Sequence, residues 1–145
     1  MCSLPEPASA PSGHPVEVGQ RTEAVILAEL VKRGYSVLLP FGYNHRYDLV
    51  LDCGDRFVRV QCKTGRLRNG VILFPTRSTR TNMNKVYTRG YRGEADLFLV
   101  YCPDTEKVYS VAVEEAAAGW GSLRVAPTAN GQSKRIIWAV DYELP

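Results

Sequence analysis

The segment from Asp48 to Thr64 constrains this chain more than any other. Two strand-like runs, DLVLDC and FVRVQCKT, flank Gly54 and Asp55, and a Gly-containing dipeptide between such runs signals a β-hairpin. With those two residues as the loop, Asp52 opposes Phe57 and, at the far end, Asp48 opposes Gln61. Alternation then puts Asp48, Val50, Asp52, Phe57, Arg59, Gln61 and Lys63 on one face. The other face holds Leu49, Leu51, Val58, Val60 and Cys62, and is a core face. The first face gathers an acid, an amide and a lysine at one end of the hairpin, which is unfavourable to bury unless the groups are paired or bind something.

The rest of the chain supplies a frame for this hairpin. The first fifteen residues, with four prolines and no apolar period, read as a flexible leader, so a single domain is expected from residue 16 to 145. Ala24, Leu27, Ala28 and Val31 recur at helical spacing and Gly34 follows as a stop, which predicts an amphipathic helix from Gly19 to Lys32. Tyr35 to Pro40 and Val71 to Phe74 read as short strands, and GRLRNG between Thr64 and Val71 reads as a turn. Thr76 to Gly93 is a long polar stretch with weak helix potential between Asn82 and Thr88. Asp96 to Cys102 is a buried-type strand that pairs with Lys107 to Val113, and Glu114 to Ala118 suits a helical turn or two. The apolar part of IIWAVDYEL docks on the domain. A helix followed by a mainly antiparallel sheet gives an α/β (α+β) domain.

The 145 residues are 45% hydrophobic and 23% charged, which suits a globular domain and excludes wholesale disorder or a small disulfide scaffold. The net charge of +3 hides a strong asymmetry. From Arg56 to Arg92 there are ten Lys and Arg and no Asp or Glu, so the other eight basic residues face all 15 acids elsewhere. Such a block points to a polyanionic partner. Cys2, Cys53, Cys62 and Cys102 include no CxxC pair, and His14 and His45 cannot complete a zinc spacing. The last three cysteines, each in or beside an apolar run, are expected to act as small core hydrophobes. No apolar run has membrane-spanning length and no secretory signal pattern opens the chain, so no membrane partner and a cytoplasmic location are expected.

The string RYDLVLD followed by VRVQCK resembles the PD-(D/E)XK nuclease signature, with Asp48 opening one strand, Gln61-Cys62-Lys63 on the next, and Glu23 on the preceding helix in GQRTEAVI. The longer run from Gly19 to Phe74 resembles the branch that contains a group I intron homing endonuclease and related small bacterial endonucleases. Two positions depart from the usual pattern: Tyr47 replaces a proline and Gln61 replaces an acid. That branch tolerates Gln at this position in active enzymes. The resemblance implies a restriction-endonuclease-like core, with a mixed central sheet, a site-bearing β-hairpin and flanking helices. It also implies DNA phosphodiester hydrolysis with Mg²⁺, or Mn²⁺ as a substitute. Asp48 would be the central metal ligand, Gln61 a neutral oxygen ligand, Glu23 a direct or water-bridged ligand, and Lys63 the cation that orients water and stabilises developing charge.

Singly, these residues have plainer readings: Glu23 as a solvated helix residue, Asp48 as a loop cap or a partner of Arg46, and Gln61 and Lys63 as strand residues facing water. Their order, period-two spacing and cross-strand register favour the nuclease. The basic block begins on the strand that carries Gln61 and Lys63, so it should flank the site. Candidate DNA contacts are Asn44, Arg46, Arg66, Arg68, Arg77, Ser78, Arg80, Asn82, Lys85, Arg89 and Arg92, with Tyr87 and Tyr91 suited to pack on sugars or bases. Tyr43 and His45 stand in the same loop before Asp48, with His45 read as a loop residue. Cutting both strands requires two sites, so a homodimer or higher homo-oligomer is expected. The alternative is a catalytically inactive DNA- or junction-binding module on the same fold, for which the neutral Gln61 speaks.

Overall fold

The computed structural model describes residues 3–132 and 134–145. A helix, α1 (Pro15–Lys32), is followed by β1 (Ser36–Leu38), β2 (Leu49–Asp52), β3 (Phe57–Thr64), β4 (Arg66–Arg68) and β5 (Val71–Pro75). Next come β6 (Arg77–Asn82), β7 (Lys85–Gly90), β8 (Leu97–Cys102), β9 (Lys107–Ala112), β10 (Trp120–Arg124) and a 3-10 turn over Ala139–Tyr142. A five-stranded sheet in the order β1-β2-β3-β8-β9 forms the centre. Its β3–β8 pair is parallel and its other pairs are antiparallel. A second sheet, β10-β5-β4, and the separate β6–β7 ribbon complete the strands. The mixed sheet and the α+β class agree with the sequence reading. Among the described residues α1 is the one α-helix, and the Glu114–Ala118 segment is turn rather than helix.

The central hairpin has the expected register, with Leu49 opposite Val60 and Asp52 opposite Phe57. Gly54 has φ 85° and the following Asp55 has no positive φ, the pattern of a type II′ turn, and the Cys53 N–H closes it on the Arg56 carbonyl at 2.9 Å. At the centre of the sheet, side chains alternate between two cores. Val60, Cys62 and Leu99 join Leu49 and Leu51 beneath α1. Phe98, Val100 and Cys102 point the other way, against Ile72 and Phe74 of β5 and Leu123 of β10. Burial on both faces is what favours the apolar run LFLVYC in β8.

Helix α1 begins at Pro15, four residues before the expected start. His14 caps it by accepting the Val16 N–H on Nδ1, and Pro at the first position needs no donor there. It ends in a Schellman turn, with Gly34 N–H to Val31 O and Tyr35 N–H to Leu30 O, and Gly34 in the left-handed region at φ 83°. The buried stripe is Thr22, Ile26 and Leu30. The expected stripe of Ala24, Leu27, Ala28 and Val31 is turned away from the core; Ala24, Ala28 and Val31 are exposed. Two stripes of suitable spacing coexist on this helix, and the larger side chains of Ile26 and Leu30 decide between them because they bury more apolar area.

Three further expectations change. Thr76 to Gly93 is strand for most of its length, because Met83 and Asn84, both at positive φ, make the two-residue turn of a hairpin. GRLRNG contains β4, which adds to the edge of β5. Cys53 is exposed at the hairpin turn, whereas Cys62 and Cys102 are buried thiols as expected. The tail docks as expected: Ala139 is buried and the Leu144 N–H reaches the Val108 carbonyl.

Candidate active site

Asp48 precedes β2, where the regular ladder gives way. Its backbone N–H goes to the Val60 carbonyl at 2.8 Å, and its Oδ2 accepts the Cys62 N–H at 2.7 Å. The paired register ends at Leu49 opposite Val60, so the expected Asp48–Gln61 pair is not part of the ladder, and Asp48 is tied to β3 through Val60 and Cys62 instead. One carboxylate oxygen is thereby committed to the backbone, which fixes the orientation of the other. Burial pushes the Asp48 carboxyl above its ordinary value, opposed by the Cys62 hydrogen bond and by the charge of Lys63.

Glu23 approaches from α1. It follows Thr22, whose buried side chain bonds Thr64 at the end of β3 through a 2.6 Å Oγ1–Oγ1 contact. With about 100° between successive helix residues, Glu23 falls at the edge of the buried stripe, toward Asp48. The two acids line one cavity of about 250 Å³ with Gln20, Ala24, Leu39 and Leu49. The Glu23 carboxyl is raised by burial and then by the Asp48 charge. Beneath them the Cys62 thiol is strongly raised by burial, with Asp48 and Glu23 adding to it, so it is a protonated wall and no nucleophile.

Lys63 and Gln61 lie on the β3 face opposite Cys62. Lys63 Nζ donates to Tyr91 Oη at 3.0 Å and sits 4.5 Å from the centre of that ring. Tyr91 is 5% exposed, packed edge-on against Phe98. Its burial contradicts the expected packing on DNA sugars or bases and makes it a support for Lys63. On the same ring rests Arg46, with Cζ 4.3 Å from the centroid. The Gln61 side chain makes no hydrogen bond among the described residues, so its amide oxygen is available. No group of three or more His, Cys, Asp or Glu side chains clusters among the described residues, and the acidic content of the site is the pair Glu23 and Asp48.

Around this centre the basic residues divide into two kinds. Arg46, a candidate DNA contact, is occupied inside the protein: Nε bonds Glu94 at 2.5 Å, one terminal nitrogen bonds Ser78 Oγ at 2.8 Å, and the other bonds the Gly90 carbonyl at 2.6 Å. Glu94 also takes Arg89, and Asp96 takes Arg59. Arg66, Arg68, Arg77, Arg80, Lys85 and Arg92 are exposed and form no ion pair among the described residues. A cleft of about 710 Å³ separates the β6–β7 ribbon from the loop before Asp48 and is lined by Asn44, Arg46, Ser78, Arg80, Asn82 and Arg89, among others. His45 belongs to the same loop, its Nε2 bound to the Phe41 carbonyl at 2.6 Å.

A helix-borne acid, a second acid at the mouth of a hairpin and a lysine on its second strand, in a mixed sheet, can be compared with known proteins. A family model for PD-(D/E)XK endonucleases matches residues 14–145. The chain belongs to the PD-(D/E)XK endonuclease family. The family match takes in every element that builds the site, from α1 with Glu23, through the hairpin with Asp48, Gln61 and Lys63, to the ribbon. A bacterial homing endonuclease, I-Ssp6803I, has the same fold, with a TM-score of 0.70 and 24% identity over 90% of this chain and 89% of that one. A Holliday junction resolvase of Archaeoglobus fulgidus, Hjc, gives a TM-score of 0.44 and 15% identity over 74% of this chain and 84% of that one. No curated protein matches.

Two residues of the site, Thr22 and Glu94, were not singled out from the sequence, and Tyr91 was expected in a different role. Thr22 carried a signal, since it completes an i, i+4, i+8 stripe with Ile26 and Leu30. Glu94 carried the weaker signal of being the first acid after the basic block. The role of Tyr91 as support for Lys63 had no local signal, because it depends on the packing of a segment 28 residues away.

Proposed function

We propose that this family member is a divalent-metal-dependent DNA endonuclease hydrolysing phosphodiester bonds, with Glu23, Asp48, Gln61 and Lys63 as its catalytic set. The observation that carries the reading is the cavity that Glu23 on α1 shares with the half-buried Asp48, whose carboxyl also feels the charge of Lys63 on β3, within a PD-(D/E)XK fold. The donors suit Mg²⁺, or Mn²⁺ in its place, because two carboxylates and an amide oxygen are hard ligands. Asp48, Glu23 and the Gln61 amide oxygen would hold the ion. When bound it would polarise the phosphate and lower the pKa of a coordinated water. Asp48 contributes a carboxylate already oriented by the Cys62 N–H, so it needs no reordering when DNA arrives. The ammonium of Lys63, steadied by Tyr91, can orient the attacking water and offset charge that develops on the phosphoryl oxygens.

A DNA substrate is supported by Arg66, Arg68, Arg77, Arg80, Lys85 and Arg92, which form no ion pair among the described residues and continue from the strand that bears Lys63. Cutting both strands would require a homodimer or higher homo-oligomer, and homing-like, restriction-like and junction-resolving substrates all suit one such site. A second reading is favoured by the acid count. Two carboxylates and a neutral Gln61 also fit a DNA- or junction-binding module that no longer cuts.

The deciding assay is cleavage of supercoiled, linear and branched DNA with Mg²⁺ or Mn²⁺ by the wild type, Asp48→Ala and Lys63→Ala. Cleavage by the wild type alone supports the proposed set. Persistent cutting by both variants rejects it, and binding without cutting in either metal supports the second reading.

A further inference from the structure

The two faces of the β6–β7 ribbon differ in chemistry. Cross-strand pairing sets Ser78 opposite Arg89, Arg80 opposite Tyr87 and Asn82 opposite Lys85. Alternation puts these six residues on one face, which carries three cations, an amide, a hydroxyl and an aromatic ring. The other face pairs Thr79 with Thr88, Thr81 with Val86 and Arg77 with Gly90. Small β-branched residues dominate it, and they support a pleated ribbon without reaching outward.

This ribbon contributes nothing to the core: of its strand residues only Ser78 is partly buried. A lone hairpin is marginally stable in water, so strands of six residues on the surface call for a purpose outside folding. Local devices hold its shape, namely the Met83-Asn84 turn with both residues at positive φ and the β-branched face. A latch holds its direction. Arg46 bonds Ser78 near the start of β6 and the Gly90 carbonyl at the end of β7, and its partner Glu94 also binds Arg89. The polar face therefore borders the cleft shared with Asn44 and Arg46, in the loop that leads to Asp48.

Dimensions and residue types agree on what this face meets. Six residues at about 3.3 Å each span roughly 20 Å, and two strands about 4.8 Å apart fit a major groove about 12 Å wide. Arginine matches the guanine O6 and N7 acceptors and asparagine matches adenine N6 and N7. Lysine supplies a phosphate contact without sequence information.

We infer that the ribbon enters the major groove of duplex DNA with its Ser78–Arg89 face inward, and that Arg80 and Asn82 read base edges while Lys85 contacts phosphate. The inference rests on the proposed DNA substrate, which it narrows to a duplex with a readable major groove. It does not depend on catalysis.

The test is binding, with the full-length chain in EDTA and a randomised duplex pool, followed by titration of the selected duplex against an unselected one. Arg80→Ala and Asn82→Ala are each expected to reduce discrimination between the two duplexes by about tenfold or more. Lys85→Ala should weaken both duplexes alike and lower the salt slope by about one. Thr79→Val and Thr81→Val, which keep the β-branch on the opposite face, should leave discrimination unchanged. Methylation of guanine N7 within the selected site should block binding of the wild type, a readout that requires no variant to fold. Equal loss from the Thr79 and Thr81 variants, indifference to N7 methylation, absence of any selected sequence, or preference for single strands would each overturn the inference. A chain that selects and discriminates duplexes but cuts none in any metal would overturn the endonuclease reading and leave this one standing.

Discussion

Tyr91→Phe isolates the contact that steadies Lys63. The substitution removes one oxygen and keeps the ring on which Arg46 rests at 4.3 Å, and against which Phe98 packs edge-on. What disappears is the 3.0 Å bond from Lys63 Nζ. Hydrogen bonds from charged donors contribute about 1.5–3 kcal/mol net, and Lys63 is only partly buried, so the lower end applies. At roughly 3 °C per kcal/mol for a domain of this size, Tm should fall by about 4–5 °C. If the bond also holds the ammonium where charge develops, about 1.4 kcal/mol of lost transition-state stabilisation lowers kcat about tenfold. Tyr91 is buried beneath the site, so KM for DNA should not change. The assay is steady-state cleavage of a linear duplex at 25 °C, where the variant remains folded, alongside thermal melting. A lower Tm with unchanged kcat would refute the positioning role and leave Tyr91 as core. A raised KM with unchanged kcat would place the hydroxyl on the DNA path instead.

Two other predictions concern the frame of the site. Asp96 accepts three bonds from Arg59, at 3.1 Å from Nε, 2.9 Å from a terminal nitrogen and 2.8 Å from the backbone N–H, and these hold its carboxyl below its ordinary value. A depressed carboxyl stabilises above its unfolded pKa of about 4 and loses that contribution as pH falls through the folded value. The pair is more than one-third exposed, so Asp96→Asn should cost about 0.5–1 kcal/mol at pH 7. In urea denaturation the gap from wild type should close toward pH 3, and a gap independent of pH would contradict the ionic origin. At Gly121 an added Cβ would meet three ring atoms of the buried Phe74 at under 3.0 Å. Gly121→Ala should therefore destabilise by about 1–3 kcal/mol, and adding Phe74→Leu should recover part of the loss. An unchanged Tm in Gly121→Ala would refute the close approach of β10 to that ring.

The parts of the fold legible in the sequence are those with local causes. The hairpin register followed from Gly54 and the alternation on either side of it, and the β8–β9 pair from a buried-type run beside a second strand. The β6–β7 ribbon was hidden because Thr, Asn and Arg give no apolar alternation, and its turn is set by positive φ at Met83 and Asn84 rather than by a glycine. Helix phase was misjudged because Ala24, Leu27, Ala28 and Val31 mimic a buried stripe.

The order and spacing of Glu23, Asp48, Gln61 and Lys63, and the acid-free block that begins on the same hairpin, can be read from the sequence by itself, because strand alternation and charge are properties of neighbours along the chain. Only tertiary structure decided that Arg46 spends its donors on Glu94, Ser78 and Gly90, that Tyr91 lies under Lys63 rather than on the surface, and that the ribbon's polar face borders a cleft shared with the loop before Asp48. Those outcomes depend on which distant segments meet, and a buried cation takes whatever acceptors the packing brings within reach.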